Sequence, residues 1–227
     1  MEVLDAIRER RSMRAFKPDS VSDEIIRGIL GVAGRAPSSV NIQPWEFFVV
    51  KGEKLEAFRR ANLEEFRSGK TPEPELPLKL KGTAPALAGV FRERQVELAK
   101  GMFGLLGIAK GDTKAQQDWT EHMVQFYGAP VAIIVVTDRM LEGPWPILDI
   151  GFVCQNILLA AQEYGLGTCV MRAIVDYPQV IRRVVGVPES KRIMVGVAMG
   201  HPDENHPVNR LITSREDLDS IVTFVES

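Results

Sequence analysis

Apolar residues recur at helical spacing at the start of the chain. Val3, Leu4 and Ile7 predict a helix over residues 2–10. Ile25, Ile26, Ile29, Leu30 and Ala33 form the buried stripe of a second helix, with Ser22 as its N-cap. Asp23 and Glu24 fall in its first turn, where the helix dipole favours carboxylates. The period then changes. Residues 46–51 read as a strand, and residues 131–137 are so rich in β-branched side chains that they predict a strand buried on both faces. Both are expected to be central in a sheet.

The pattern between these strands is less regular. It predicts a helix over residues 53–66, a loop carrying Pro72, Pro74, Pro77 and Pro85, and a helical stretch interrupted by Gly101, Gly104 and Gly107. An insertion of this kind, about residues 55–126, suits a lid or binding wall. Residues 149–164 form a strongly apolar helix ended by Gly165. A short strand at 169–173, a helix after Asp176 with Pro178 in its first turn, and a strand at 192–199 follow. Helices and strands interleave without a regular βαβ series, which points to an α+β fold with a mixed central sheet flanked by helices.

Composition narrows the function. The 227 residues can bury a full core as a single domain, and 45% hydrophobic with 26% charged residues is ordinary for a globular chain. A formal charge of -2 gives no reason to expect nucleic acid, so a small molecule is the expected partner. The N-terminus lacks the basic-then-apolar order of a signal peptide, and the best apolar run, residues 131–136, is far too short to span a bilayer. The chain therefore reads as cytoplasmic, with no membrane association. Cys154 and Cys169 form no CxxC motif and read as buried small hydrophobes in a reducing compartment.

Four segments concentrate chemistry. If residues 10–14 are extended, Arg10, Ser12 and Arg14 share one face, opposite Arg11 and Met13. That face suits a phosphate and a second electron-rich group, although arginines are also favoured at a helix C-terminus by the macrodipole. Ala36-Pro37-Ser38-Ser39-Val40-Asn41-Ile42-Gln43-Pro44-Trp45 gathers hydroxyls and amides on a stretch restrained by two prolines; ordinary Asx and Ser turns would explain it too. Gly165-Leu166-Gly167-Thr168 is not a dinucleotide fingerprint, since Val170 stands at the third glycine position and the helix precedes it. Its glycines serve either as a C-cap and a packing residue or to let backbone approach a flat ring. Arg210 and Arg215 stand near the C-terminus, where arginines are commonly solvated.

Read in order, Arg10-Arg11-Ser12-x-Arg14, the segment from Ala36 to Trp45, Gly165-Leu166-Gly167-Thr168, Gly200-His201-Pro202 and Ser214-Arg215 resemble the nitroreductase family of FMN enzymes. The resemblance spans nearly the whole chain, but not residue by residue through 55–126. It implies an intertwined homodimer with FMN sites at the subunit interface. By this resemblance Arg10, Ser12 and Arg215 hold the FMN phosphate, with Arg11 as an added contact, and Arg14 faces the N1/O2 edge of the isoalloxazine. Pro37, Ser38, Ser39 and Asn41 reach the flavin bound mainly to the other subunit, and Leu166, Gly167 and Thr168 lie near N5 with main-chain groups. NADH or NADPH is the transient hydride donor, and a nitroaromatic or quinone the small acceptor, in ping-pong turnover on one exposed flavin face. A flavin carries the redox chemistry itself, so no catalytic triad is needed.

Other classes have less support. His201 and His206 flank Asp203 and Glu204 beside two prolines, which reads as a loop, and no metal site is expected. There is no G-x-S-x-G motif for hydrolysis. On the same fold, a reductive dehalogenase or a flavin-consuming oxygenase is an alternative; a flavin-storage protein is the non-enzymatic one.

Overall fold

The computed structural model describes residues 2–76 and 87–226; Pro77 and Pro85 lie outside the described residues. Four strands form one sheet in the order β1-β2-β4-β3: β1 (Glu46–Lys51), β2 (Val131–Asp138), β3 (Gly167–Met171) and β4 (Lys191–Gly200). All three pairings are antiparallel, and the parallel component is an isolated bridge between Ser12 and Thr168. The α+β class read from the sequence holds.

β2 behaves as its composition requires. Val131 to Val136 are all fully buried, and alternate residues serve different cores. Val131, Ile133 and Val135 face α2 (Asp23–Ala33) and α6 (Trp145–Glu163). Ala132, Ile134 and Val136 face α3 (Gly52–Arg67), α7 (Pro178–Val185) and the turn Phe126–Gly128. The expectation that residues 46–51 would also be central is corrected: β1 pairs with β2 alone and is an edge of the sheet within the chain. Its two phenylalanines are half-buried because helices cover both faces near that edge, and burial of a face does not specify a second neighbour.

Several boundaries also move. Helix α1 (Val3–Glu9) leaves Val3, Leu4 and Ile7 exposed rather than buried. Gly101 and Gly104 lie inside α4 (Gly89–Leu105) and do not interrupt it; Gly107, with φ of 67°, follows its end. Residues 113–124 form a helix, α5 (Thr113–Val124), capped by the Asp112 side chain on the Ala115 N–H. Helix α6 begins at Trp145, four residues before Asp149, because Pro146 falls in its first turn, where no N–H is needed. It ends at Gly165, whose φ of 66° lets Leu166 N–H close back on the Ala161 carbonyl at 3.0 Å. Strand β3 begins at Gly167, not Cys169, because its pairing with β4 starts at Gly200.

The last described segment is extended around a short helix, α8 (Leu218–Ile221), and leaves Phe224 and Val225 exposed. No described helix is long and apolar enough to cross a membrane.

Candidate active site

After α1 the chain runs extended beside β3. Met13 N–H donates to the Thr168 carbonyl at 2.9 Å, and Lys17 N–H to the His201 carbonyl at 2.8 Å. This strand-like segment is the local conformation the alternation of residues 10–14 anticipates. Arg11 points to solvent, while Arg10, Ser12 and Arg14 are partly covered. Met13 packs over Gly167 so closely that a Cβ there would lie 2.6 Å from its Cγ. Packing therefore accounts for this glycine, and the space above it is occupied by a side chain.

A cleft of about 790 Å³ opens between this segment, the C-terminal end of α6 and residues 211–215. Arg10, Arg11, Ser12, Arg14 and Arg215 all line it, together with Gln162 and the apolar Ile7, Met13, Leu211 and Ile212. Residues from the two ends of the sequence thus converge on one concave, cationic surface. The Arg215 guanidinium is held by the Thr213 hydroxyl at 2.8 Å and the Ser214 carbonyl at 2.8 Å, which restrains it within the lining of the cleft. Guanidinium forks and a hydroxyl lining one cleft form a donor set matched to a phosphate monoester.

Arg14 is the most constrained of these residues. Its N–H donates to Asn209 Oδ1 at 2.7 Å, its Nη1 donates to the Ser12 carbonyl at 3.2 Å, and its guanidinium also contacts the Tyr127 hydroxyl. Burial pushes the Tyr127 phenol up to about 12, against the opposing pull of Arg14, so this hydroxyl stays neutral. Tyr127 itself sits in a left-handed turn, with φ of 62° at Phe126 and 56° at Tyr127. The His122 imidazole packs at a tilt against Trp119 and Tyr127, at interplanar angles of 46° and 60°, and bonds the Arg14 backbone; burial is the main cause that holds it below the usual histidine range. Beneath them the thiol of Cys169 is pushed up by burial, with Arg14 and Ser12 opposing. Burial alone pushes Cys154 to about 12, so both cysteines are buried thiols with no thiolate character at neutral pH.

The remaining sequence-predicted residues are not at this cleft. Leu166 is in the core, and Thr168 is buried with its carbonyl taken by Met13. Pro37, Ser38, Ser39 and Asn41 lie in a loop at the other end of α6, where the Ser39 N–H donates to both carboxylate oxygens of Asp149 at 3.2 Å. Asp149 and the cleft residue Gln162 are separated by about 20 Å along the helix at 1.5 Å per residue. Val40, Asn41 and Gln43 in this loop have φ of 43°, 61° and 46°. Each costs on the order of 1–3 kcal/mol, least for Asn41, since asparagine tolerates the left-handed region.

Sequence reasoning missed Asp149, Asn209, Tyr127 and His122 as site residues. The two buried polar positions carry a usable signal, since a carboxylate inside an apolar helix and an asparagine in Pro207-Val208-Asn209-Arg210 are both out of place unless each serves a partner. His206, weighed as a metal ligand, accepts the Val208 N–H on Nδ1 at 3.3 Å and caps the turn Pro207–Arg210.

The chain is similar to a nitrobenzene nitroreductase of Ectopseudomonas oleovorans, at 33% identity over 97% of this chain and 96% of the relative. Its fold superposes on the crystal structure of the FMN and NADPH-dependent nitroreductase NfnB from Sphigopyxis sp. strain HMH with a TM-score of 0.92, at 28% identity and over 100% of both chains. The FMN-dependent nitroreductase NfnB from Mycobacterium smegmatis, crystallised in complex with NADPH, gives 0.90 at 27% identity over 98% of this chain and 97% of that one. The family model described as Nitroreductase family matches residues 7–201, and with the cleft formed by the motifs at residues 10–14 and 215 the chain belongs to the nitroreductase family.

Proposed function

We propose that this protein is an FMN-dependent oxidoreductase that draws hydride from NADPH or NADH and passes electron pairs to a small acceptor such as a nitroaromatic or quinone, acting as a homodimer. The observation that carries the reading is the convergence of Arg10, Ser12, Arg14 and Arg215 on one cleft of about 790 Å³. Arg10, Ser12 and Arg215 would hold the phosphate of FMN by charge-assisted hydrogen bonds, with Arg11 contributing charge from the exposed edge. When bound, FMN supplies the two-electron chemistry that links hydride donor to acceptor.

The protein's own part is positioning and electrostatics. Arg14 is anchored through its backbone by Asn209 and through its guanidinium by Tyr127, which presents a fixed cation to the flavin edge where reduction places negative charge. Leu166, Gly167 and Thr168 are given no flavin contact in this reading: Met13 covers Gly167 and takes the Thr168 carbonyl, and the Leu166 N–H is closed on Ala161. A dimer completes the site. The two halves of the predicted cofactor site stand at opposite ends of α6, and in a two-fold pair with these helices antiparallel, residues 37–41 of one subunit approach the cleft of the other. The exposed apolar residues of α1, α6 and the C-terminal segment, among them Leu4, Trp145, Leu148, Phe152 and Phe224, form the surface such a pair would bury. An open, dimer-bounded cleft would admit donor and acceptor in turn.

The test is direct. The purified protein should release FMN on denaturation, bleach within the mixing time of anaerobic NADPH or NADH, and recover colour when a nitroaromatic is added. Recovery of FAD, or a flavin that neither nucleotide reduces, would overturn the reading.

A further inference from the structure

The Asp149 carboxylate is 1% exposed, and among the described residues its hydrogen-bond donor is the Ser39 amide, which it accepts on both oxygens. Among those residues no cation pairs with it. Its neighbours on the buried side of α6, Ile150 and Val153, belong to the apolar core. A carboxylate here is costly to bury and would be replaced by any apolar residue if packing were its only role.

What it holds is a strained turn. Ser39 immediately precedes Val40, a β-branched residue at a φ of 43° and 90% exposed, followed by Asn41 at 61° and Gln43 at 46°. Among the described residues the Val40 side chain is left in solvent, with little burial to offset its conformation. The fixed points lie to either side of it: Asp149 takes the Ser39 N–H at the start, and the Ser38 hydroxyl takes the Gln43 N–H at 3.0 Å at the end. On the same turns of α6 as Asp149, the exposed Trp145, Leu148 and Phe152 form an apolar face. The carboxylate therefore ties the loop to the helix that would lie in the subunit interface.

We propose that Asp149 is a positioning residue for the cofactor site: by accepting the Ser39 N–H it holds residues 38–43 in the left-handed turn through which they reach the flavin of the partner subunit. The inference rests on the shared-site reading above. It requires an oxygen acceptor at position 149. Asp149→Asn keeps one, whereas Asp149→Leu keeps the volume and removes it.

Two measurements on the purified dimer test it. Amide exchange of the peptide covering residues 37–45 should accelerate in Asp149→Leu and stay near wild type in Asp149→Asn. FMN dissociation constants, read by flavin fluorescence, should rise on the order of tenfold in Asp149→Leu, and Asp149→Asn should restore most of that loss. Asn41→Ala serves as the control on the loop itself. If Asn41→Ala weakens FMN while Asp149→Leu changes neither exchange nor affinity, the positioning role is overturned and the shared site stands. If Asn41→Ala leaves FMN affinity unchanged, the shared-site reading fails, and the positioning role with it. Equal loss of affinity in Asp149→Asn and Asp149→Leu would overturn the claim that the acceptor matters. Non-additive effects of Asn41→Ala and Asp149→Leu in the double variant would support it.

Discussion

The Asn209 side chain accepts the backbone N–H of Arg14 at 2.7 Å across 195 residues of sequence, and its amide donates to the carbonyls of Ala15 and Asp203 at 2.8 and 2.9 Å. One buried asparagine thus fastens the C-terminal segment to the strand that carries the cationic motif. Asn209→Ala orphans the Arg14 N–H and takes one of two donors from each of the Ala15 and Asp203 carbonyls, and should destabilise the fold by about 1–3 kcal/mol. Asn209→Asp should be no better, because a carboxylate cannot donate to the two carbonyls. Urea titration of both variants checks this, and stability within about 0.5 kcal/mol of wild type would show that the contact is dispensable.

Arg14 and Arg215 are assigned to opposite ends of the cofactor and should fail differently. Arg215→Ala removes a phosphate contact and should weaken FMN binding by about 1.5–3 kcal/mol with little change in flavin potential. Arg14→Ala should lower the potential and slow reduction of the flavin that remains bound. Fluorescence titration and spectroelectrochemistry separate the two, and matching phenotypes would contradict the assignment.

Glu75 organises the far end of the sheet. It accepts from the Arg182 guanidinium at 2.8 Å, the Arg139 guanidinium at 2.5 Å and the Ile193 N–H at 2.8 Å. Burial alone would push this carboxyl up, but the Ile193 N–H and the two arginines together hold it below the usual carboxylate range. Glu75→Ala should cost about 2–4 kcal/mol, because among the described residues the buried Arg182 then keeps only the exposed Glu189 carboxylate as counter-charge and the Ile193 N–H loses its acceptor. The wild-type advantage is full above the ordinary glutamate pKa and is lost as pH falls through the folded-state value. Denaturant midpoints of the two proteins should therefore converge in acid; a constant gap down to low pH would refute the ionic account.

His122 titrates in a milder range. Its folded-state pKa lies below the ordinary 6.5, mainly through burial, with His206 adding to the shift and the hydrogen bond to the Arg14 backbone opposing it. The unfolded chain takes up a proton first as pH falls, so this contribution is complete above about pH 6.5 and is lost below it. Wild type should lose more stability than His122→Gln between about pH 7.5 and pH 5.5. Parallel thermal-denaturation profiles for the two proteins would exclude His122 as a source of acid sensitivity.

Local chemistry was readable in the sequence wherever one segment suffices to determine it. The Ser22 cap, the left-handed Gly165, Pro178 at a helix start and the two-sided apolar run of β2 all follow from propensity and period. The extended course of residues 10–14 was likewise anticipated, but the expected separation of faces was not: Arg11 and Met13 line the same cleft as Arg10, Ser12 and Arg14. Strand order was not readable, because β1 becomes an edge through long-range pairing that its own phenylalanines do not encode. The helix at Thr113–Val124 escaped notice because its polar composition gives only a weak apolar stripe. Only the tertiary structure decided that Arg215 and Arg10 line one cleft, that Tyr127 and Asn209 brace Arg14, and that Asp149 holds Ser39. These relationships join residues far apart in sequence, and their energies come from burying polar groups in matched pairs, which neither partner's local sequence specifies.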